Sequence, residues 1–313
     1  MSFEAQVIAA YGRHLKLRDQ DGQVHDARPF GRRVQAICGD QVRCEQDLAH
    51  AEIHVVEVLP RRTTLARATL RGEAEAVAAN LTLLVTVLAP QPKPDPFIID
   101  RYLCAASSAG IGALIVLNKA DLAASEAAPE QQPSSLAAML QGFASAGYPT
   151  LECSAQTGAG LEALAARLAG ETAVFVGQSG VGKSSLIAHL VPGIELVTGA
   201  LDGDAEGRHT TTHSSLHDLP GGGALIDSPG VRDFAPAIDS LEPASLGFPE
   251  VDRLAPSCRF MDCRHLREPG CAVRTAAESG EFDARRYESY RRLRRLREEL
   301  EAARGPGRKR LKQ

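Results

Sequence analysis

The run Gly177-Gln178-Ser179-Gly180-Val181-Gly182-Lys183-Ser184-Ser185 stands between the apolar stretch Ala173-Val-Phe-Val and the helix-forming stretch Leu186-Ile-Ala-His-Leu. Strand, G-x-x-x-x-G-K-S loop and helix in that order make a phosphate cradle. The glycines let the backbone curl so that successive N–H groups face phosphate oxygens, and the positive end of the helix adds to the field. Lys183 supplies a point charge for the outer phosphates and the Ser184 hydroxyl a ligand for Mg2+. A second strand, Ala224-Leu-Ile, ends in Asp227-Ser-Pro-Gly230, a D-x-x-G that offers a carboxylate on the magnesium side and a backbone N–H for a γ-phosphate. Between Lys183 and Asp227 lies Gly207-Arg-His209-Thr210-Thr211-Thr212-His213, with room for one switch segment. One of these threonines is expected to place its hydroxyl on magnesium and its N–H on the γ-phosphate.

The base reader is Asn118-Lys119-Ala-Asp121, an N-K-x-D at the end of the strand Ala113–Leu117. A carboxylate accepts from both N1–H and the 2-amino group of guanine, and adenine offers no such pair, so Asp121 selects GTP over ATP. Asn118 can tie adjacent loops and the Lys119 stem can cover the base. Ser154-Ala155, after the strand Thr150–Cys153, presents backbone to guanine O6. Such motifs at the ends of successive parallel strands form one rim. Their order is unusual: the guanine motifs precede the phosphate loop, the reverse of ordinary regulatory GTPases. A circular permutation preserves every contact in space while changing that order.

A second constellation is Cys258-Arg-Phe-Met-Asp-Cys263-Arg-His265-Leu-Arg-Glu-Pro-Gly-Cys271. Three thiolates and one imidazole within fourteen residues suit a closed, structural Cys3His zinc site, which would staple a small domain with little core of its own. Cys38, Cys44, Cys104 and Cys153 are isolated and read as small core residues.

These residues need a scaffold. From Leu81 onward strands alternate with helices, which implies a largely parallel sheet: strands at Leu81–Leu88, Ala113–Leu117, Thr150–Cys153, Ala173–Val176 and Ala224–Ile226, with helices at Phe97–Ser107 and Leu136–Ala146. Before it, short apolar stretches (Ala5–Ala10, His14–Leu17, Val34–Ile37, Gln41–Cys44, Ile53–Val58) are separated by turn residues such as Asp21-Gly22 and Gly39-Asp40. Five strands in sixty residues predict a small barrel; an oligonucleotide-binding (OB) barrel fits the count, and so do other small barrels. Arg32, Arg33 and Arg43 either face a polyanion or are ordinary surface arginines. At the far end Tyr287, Tyr290, Leu293, Leu296 and Leu300 recur every three or four residues, predicting an amphipathic helix.

Composition sharpens the picture. The 313 residues carry 44% apolar and 24% charged side chains, a formal charge of −4 and seven cysteines. The odd cysteine count in a long chain argues for a reducing compartment, and neither a secretory start nor a membrane-length apolar run is evident, so a cytoplasmic protein is expected. Residues 285–313 alone carry +8, leaving −12 on the rest. That basic end is either a solvated helix face or a phosphate-backbone contact surface.

Taken together, the permuted motif order and the zinc spacing resemble the bacterial ribosome small-subunit-dependent GTPase A family over nearly the whole chain. The resemblance implies a circularly permuted α/β P-loop GTPase (63–236) between an N-terminal OB-type RNA-binding β-barrel (1–62) and a C-terminal zinc-binding, mainly α-helical domain with a basic helix and tail (237–313). It further implies a monomer that binds GTP and GDP with Mg2+ and one Zn2+, acts late in maturation of the 30S ribosomal subunit, binds 16S rRNA and is stimulated by the subunit. The alternative kept beside it is a GTP-dependent RNA-binding switch acting elsewhere; a small-molecule kinase using ATP is disfavoured by Asp121. One departure stands out. Where many regulatory GTPases carry a water-positioning glutamine after D-x-x-G, this chain has Val231. His209 is the nearest group for that catalytic role beside Lys183, and the resemblance supports it; packing or capping is its other reading. No extended basic arm precedes the barrel, so the segment from Arg285 to Lys312 is expected to carry more of the rRNA contact.

Overall fold

A computed structural model describes residues 2–47, 52–69, 73–123, 136–194, 214–228 and 234–304. In the first sixty residues, apolar side chains alternating with polar ones close a barrel. Its strands are β1 (Ser2–Tyr11), β2 (His14–Asp19), β3 (Val24–Pro29), β4 (Gln41–Asp47) and β5 (Glu52–Val58). They pair in the order β1-β2-β3-β5-β4, and β4 returns to β1 in the register Ser2↔Glu45 to Gln6↔Gln41. Val7, Leu15, Leu17, Val42, Cys44 and Val55 fill the interior.

The third strand is not Val34–Ile37 as the apolar pattern suggests. Asp19 accepts from the N–H groups of Asp21 (3.0 Å) and Gln23 (2.8 Å), and Gly22 takes a left-handed φ of 81°, so the chain reverses at once into Val24–Pro29. Only Ala27 of that strand is buried, which is why its pattern reads as loop. Val34 and Ala36 lie on irregular backbone and pack against the barrel core from outside the ladder.

A hairpin of β6 (Thr64–Ala68) and β7 (Ala74–Ala79), with no forewarning in the sequence, leads into the α/β body. That body contains β8 (Leu83–Leu88), α1 (Pro96–Ser108), β9 (Gly112–Leu117), α2 (Ala120–Ala123), α3 (Leu136–Ser145), β10 (Thr150–Glu152), α4 (Leu161–Leu168), β11 (Thr172–Val176), α5 (Lys183–Leu190), β12 (Ser214–Asp218) and β13 (Ala224–Asp227). The sheet order is β10-β9-β8-β11-β13-β12, parallel throughout except for β12. One face carries α4 and α5 over Val85, Val87, Phe175 and Leu225. The other carries α1 and α3 over Leu88, Ile115 and Leu117.

The C-terminal region holds α6 (Pro249–Leu254), α7 (Ala272–Ser279) and α8 (Ala284–Arg304). Tyr290 and Leu293 of α8 are fully buried and share one core with Leu84, Tyr102 and Phe248, with Tyr287, Leu296 and Leu300 packed beside them. The amphipathic stripe read in the sequence therefore docks directly on the α/β body. Among the described residues no helix is long and apolar enough to cross a membrane.

Candidate functional site

The C-terminal ends of β9, β10, β11 and β13 lie along one edge of the parallel sheet, so the segments that follow them converge although they are scattered in sequence. After β11 the chain turns through Gly177 (φ 146°), Gly180 (82°) and Gly182 (91°) before α5 starts at Lys183. Two of these glycines are required by close approach. A Cβ on Gly177 would lie 2.3 Å from the Val87 carbonyl oxygen, and one on Gly182 would lie 2.3 Å from Asn118 Nδ2. Lys183 Nζ donates to the carbonyls of Gly177 (2.7 Å) and Gln178 (2.9 Å), which holds the ammonium against the loop. Ser179 and Gly180 are exposed, Val181 is buried beneath the loop, Ser184 is half-buried and Ser185 faces out.

Asn118 is buried at the centre of the site. Its Nδ2 donates to the Val181 carbonyl (2.9 Å), and its Oδ1 accepts from the backbone N–H of Ala155 (3.0 Å), so one amide ties the phosphate loop to the loop after β10. Lys119, at a left-handed φ of 57°, sends Nζ to the carbonyls of Gly180 (2.6 Å) and Gln91 (3.3 Å). Its stem therefore crosses from the guanine motif to the phosphate loop. Ser154 is buried; its Oγ accepts from Thr157 N–H (3.2 Å) and its N–H donates to the Ala159 carbonyl (2.9 Å), which shapes the turn that presents Ala155.

Asp121 is the one member of this rim with an unmet demand: its Oδ1 is buried and lacks a hydrogen-bond partner among the described residues. An orphaned carboxylate oxygen is costly unless donors come from elsewhere. The N1–H and 2-amino group of guanine are such donors, so a guanine nucleotide fits. Asp227 ends β13 opposite Ser215 of β12, and Ser214 Oγ donates to Ser228 Oγ (2.8 Å). The hydroxyl of Ser184 and the carboxylate of Asp227 are hard oxygen donors of the kind magnesium takes. His209, Thr210, Thr211, Thr212 and Gly230, with Val231, lie outside the described residues.

The second constellation is equally well gathered. The ligand atoms of Cys258, Cys263, His265 and Cys271 all lie within 4.8 Å of one another. His265 Nδ1 is 3.5 Å from Cys258 Sγ and 3.5 Å from Cys271 Sγ, and those two sulfurs are 4.0 Å apart. Tetrahedral zinc with bonds of about 2.0–2.3 Å needs ligand separations of this size, and three sulfurs with one imidazole suit zinc chemically. The loop is shaped by its neighbours. Tyr287 OH donates to the His265 carbonyl (2.7 Å) and Tyr290 OH to the Arg264 carbonyl (3.0 Å), while Glu268 accepts from the N–H groups of Arg264, Leu266 and Arg267. Burial works against the Glu268 charge, and those backbone donors outweigh it, holding its pKa down to about 2. Away from this centre, burial pushes Cys44 and Cys153 up to about 11 and Cys38 up to about 12, so these thiols stay neutral and serve packing.

A family model described as RsgA GTPase matches residues 58–236. A small ribosomal subunit biogenesis GTPase RsgA from Ectopseudomonas mendocina is 48% identical over 292 residues, covering 92% of this chain and 83% of that protein. The chain belongs to the RsgA GTPase family. The protein of the same name from Azotobacter vinelandii is 43% identical over 292 residues with the same coverage. Among solved structures, YjeQ from Thermotoga maritima superposes with a TM-score of 0.69 at 26% identity, covering 95% of this chain and 98% of that one. YloQ, described as a circularly permuted GTPase, superposes with a TM-score of 0.72 at 24% identity, covering 96% of each, and shows the likeness of fold.

Several residues that shape the site in this RsgA-family chain carry no motif. Gln91 supplies a carbonyl to Lys119, and His189 near the end of α5 bonds the Ala155 carbonyl (2.7 Å), joining the phosphate helix to the guanine side. Neither spacing nor residue type announces such backbone contacts. Tyr287 and Tyr290 are visible in the sequence only as part of an apolar stripe, and their hydroxyls hold the cysteine-histidine loop.

Proposed function

We propose that this chain is a GTP hydrolase of small-subunit biogenesis, stimulated by the 30S subunit and acting late in its maturation through contact with 16S rRNA. The observation that carries the reading is the buried Asp121 Oδ1, unpartnered among the described residues, on the same rim as the phosphate loop, within a family whose curated relatives are named small ribosomal subunit biogenesis GTPases. Guanine donates to Asp121 while Asn118 keeps the loops beside it in register, Lys119 lies along the base, and the backbone around Ser154 and Ala155 meets O6. The N–H groups from Gln178 to Ser185 and the Lys183 ammonium bind the phosphates and stabilise charge that develops as water attacks the γ-phosphorus. Ser184 and Asp227 would hold the magnesium that accompanies GTP, with one of Thr210, Thr211 and Thr212, and the ion would supply positive charge against the phosphates. Gly230 offers its N–H to the γ-phosphate.

Valine at 231 cannot orient water, so intrinsic turnover is slow and His209 is the residue assigned to that task. On this reading His209→Ala lowers subunit-stimulated hydrolysis more than GTP affinity, and a parallel loss of both would remove the catalytic assignment. The barrel (1–62) and the zinc region (237–313) flank the GTPase body (63–236) and grip RNA, and the protein works as a cytoplasmic monomer. The deciding experiment is the GTPase rate with and without purified 30S subunits. Strong stimulation is expected; none would leave a GTP-dependent RNA switch acting elsewhere, and ATP competing as well as GTP would remove the guanine assignment altogether.

A further inference from the structure

The turn after β10 spends its backbone donors unevenly. The N–H of Ser154 goes to the Ala159 carbonyl (2.9 Å), that of Ala155 to Asn118 Oδ1 (3.0 Å) and that of Thr157 to Ser154 Oγ (3.2 Å). The N–H of Gly158 goes to the Ser154 carbonyl (2.9 Å) and that of Ala159 to Thr157 Oγ1 (3.4 Å). Between Ser154 and Ala159 only Gln156 has an N–H with no hydrogen-bond partner among the described residues. Gln156 is also exposed, so its donor is open to a ligand on the rim.

The direction of that donor is set from the far side of its own peptide. The Ala155 carbonyl and the Gln156 N–H belong to one planar trans unit, in which oxygen and hydrogen point opposite ways. The oxygen is held at 2.7 Å by Nε2 of His189, in the last turn of α5. A carbonyl only accepts, so the imidazole carries its proton on Nε2. With the oxygen fixed on the α5 side, the N–H is turned away from α5. The same eight-residue helix begins at Lys183, so it holds the phosphate loop at one end and this peptide near the other. The neighbouring donor is not free for such a task, because Ala155 N–H is committed to Asn118, whose amide is itself tied to the Val181 carbonyl (2.9 Å).

We propose that His189 is a positioning residue for base discrimination: it pins the Ala155 carbonyl to α5 so that the Gln156 N–H faces guanine O6. The inference rests on the reading of this rim as a guanine site and names which amide meets O6 and what aims it. Adenine carries an amino group where guanine has O6, so a fixed N–H accepts guanine and sets two donors against each other with adenine. A peptide free to turn over would present its carbonyl instead and take the adenine amino group. The bond from His189 opposes that flip, which gives the base-reading loop a discrimination that Asp121 alone does not supply.

The test compares nucleotides that differ at position 6, bound to the full-length protein and followed by calorimetry. His189→Ala should weaken GTP about tenfold, and His189→Gln, whose amide N–H reaches a similar place, should restore most of the loss. Inosine triphosphate keeps O6 and should suffer the same penalty. In 6-thioguanosine triphosphate a sulfur, a poor acceptor, replaces O6, and the penalty should shrink to about twofold or less. A merely structural loosening of the loop would weaken all three nucleotides alike, and that result overturns the proposal, as does an unchanged affinity for GTP. A second measurement needs no substitution. Amide exchange resolved by NMR should show Ala155 N–H protected with and without nucleotide, and Gln156 N–H protected only when GTP is bound. If GTP binds in preference to ATP but the Gln156 amide stays unprotected, the proposal is wrong and the guanine reading stands. If the wild-type protein binds ATP as tightly as GTP, the guanine reading falls and the role of His189 with it.

Discussion

At the scale of single residues the nucleotide site is held by side chains that satisfy backbone groups of two loops at once. Asn118 is the clearest case: replacing it with alanine leaves the buried Val181 carbonyl and the Ala155 N–H without partners. Each such loss costs about 1–3 kcal/mol. Asn118→Ala should therefore lower both the melting temperature and GTP affinity, the latter at least about tenfold, as read by titration with a fluorescent GTP analogue; unchanged affinity would mean the loops keep their register by other means. Asp121 acts differently because its Oδ1 awaits a donor. Asp121→Asn removes one acceptor and adds a donor, so GTP should bind about a hundredfold more weakly, while a xanthosine nucleotide, with a carbonyl where guanine has its amino group, should gain. Competition between the two nucleotides on the wild-type and variant proteins checks this, and an unaltered preference for GTP would dismiss Asp121 as the base reader. Both residues are legible from N-K-x-D alone. The contact between Asn118 and the loop is legible only as a type of contact, because the acceptor is a backbone carbonyl 63 residues away.

At the scale of elements, α8 shows how a sequence pattern can be right in period and misleading in chemistry. The spacing of Tyr290, Leu293 and their neighbours predicts the buried stripe, yet the arginines between them look like a uniform basic face. The structure turns several inward. Arg286 is fully buried, bonded to Asp100 (2.6 Å) and bidentately to Glu250 (2.5 and 2.9 Å); Arg285 meets the other oxygen of Asp100 (2.7 Å); Arg297 is buried and reaches Glu301 and the Leu241 carbonyl. Their partners include residues of α1 and α6, far away in sequence, so no local pattern announces them. The +8 of residues 285–313 is thus partly neutralised within the fold. Arg286→Met leaves two buried carboxylates facing an apolar group and should destabilise the protein by about 3–5 kcal/mol. Chemical denaturation checks this, and a loss below about 1 kcal/mol would show that water or Arg285 compensates. The adjoining zinc loop makes a separate forecast. Metal analysis should find about one zinc per chain, and chelation should speed hydrogen exchange across 258–271, where the Tyr287 and Tyr290 hydroxyls and the exposed Arg264–Glu298 pair (3.2 Å) would then anchor the loop to α8. Two of the strands that the apolar pattern misses, β3 and β12, share one cause: each buries a single side chain, Ala27 or Leu216, so neither shows the alternation by which strands are read.

At the scale of the whole molecule, the permuted order has a mechanical consequence seated in β12. This strand begins at Ser214, immediately after the segment that carries Thr210 to Thr212, and its other neighbour in the sheet is not part of the GTPase body but β1 of the barrel, in the register Ala9↔Ser215 and Ala10↔Ser214. Eleven strands therefore form one continuous sheet from the guanine side of the nucleotide site to the far wall of the barrel. Arg18 pairs with Asp218 across the seam, and Asn80, just after β7, also ties the body to the barrel, donating to the Gly39 carbonyl (2.9 Å) and accepting from Arg62 N–H (2.8 Å). Ser214 also bonds Ser228, the residue after Asp227, so the ends of the two segments proposed to meet the γ-phosphate come together where the barrel attaches. A shift of either on loss of the γ-phosphate must be absorbed by the two-residue β1–β12 pairing or passed into the barrel. Hydrogen exchange measured with GTP analogue and with GDP should differ at residues 5–11 in step with 214–218, while β3 to β5 respond less. Ser215→Pro, which removes an N–H from the bridging strand, should abolish the nucleotide dependence at 5–11 and leave it at 183–190. Nucleotide-independent exchange of β1 in the wild-type protein would mean that the seam is only an attachment, and that the barrel does not sense which nucleotide is bound.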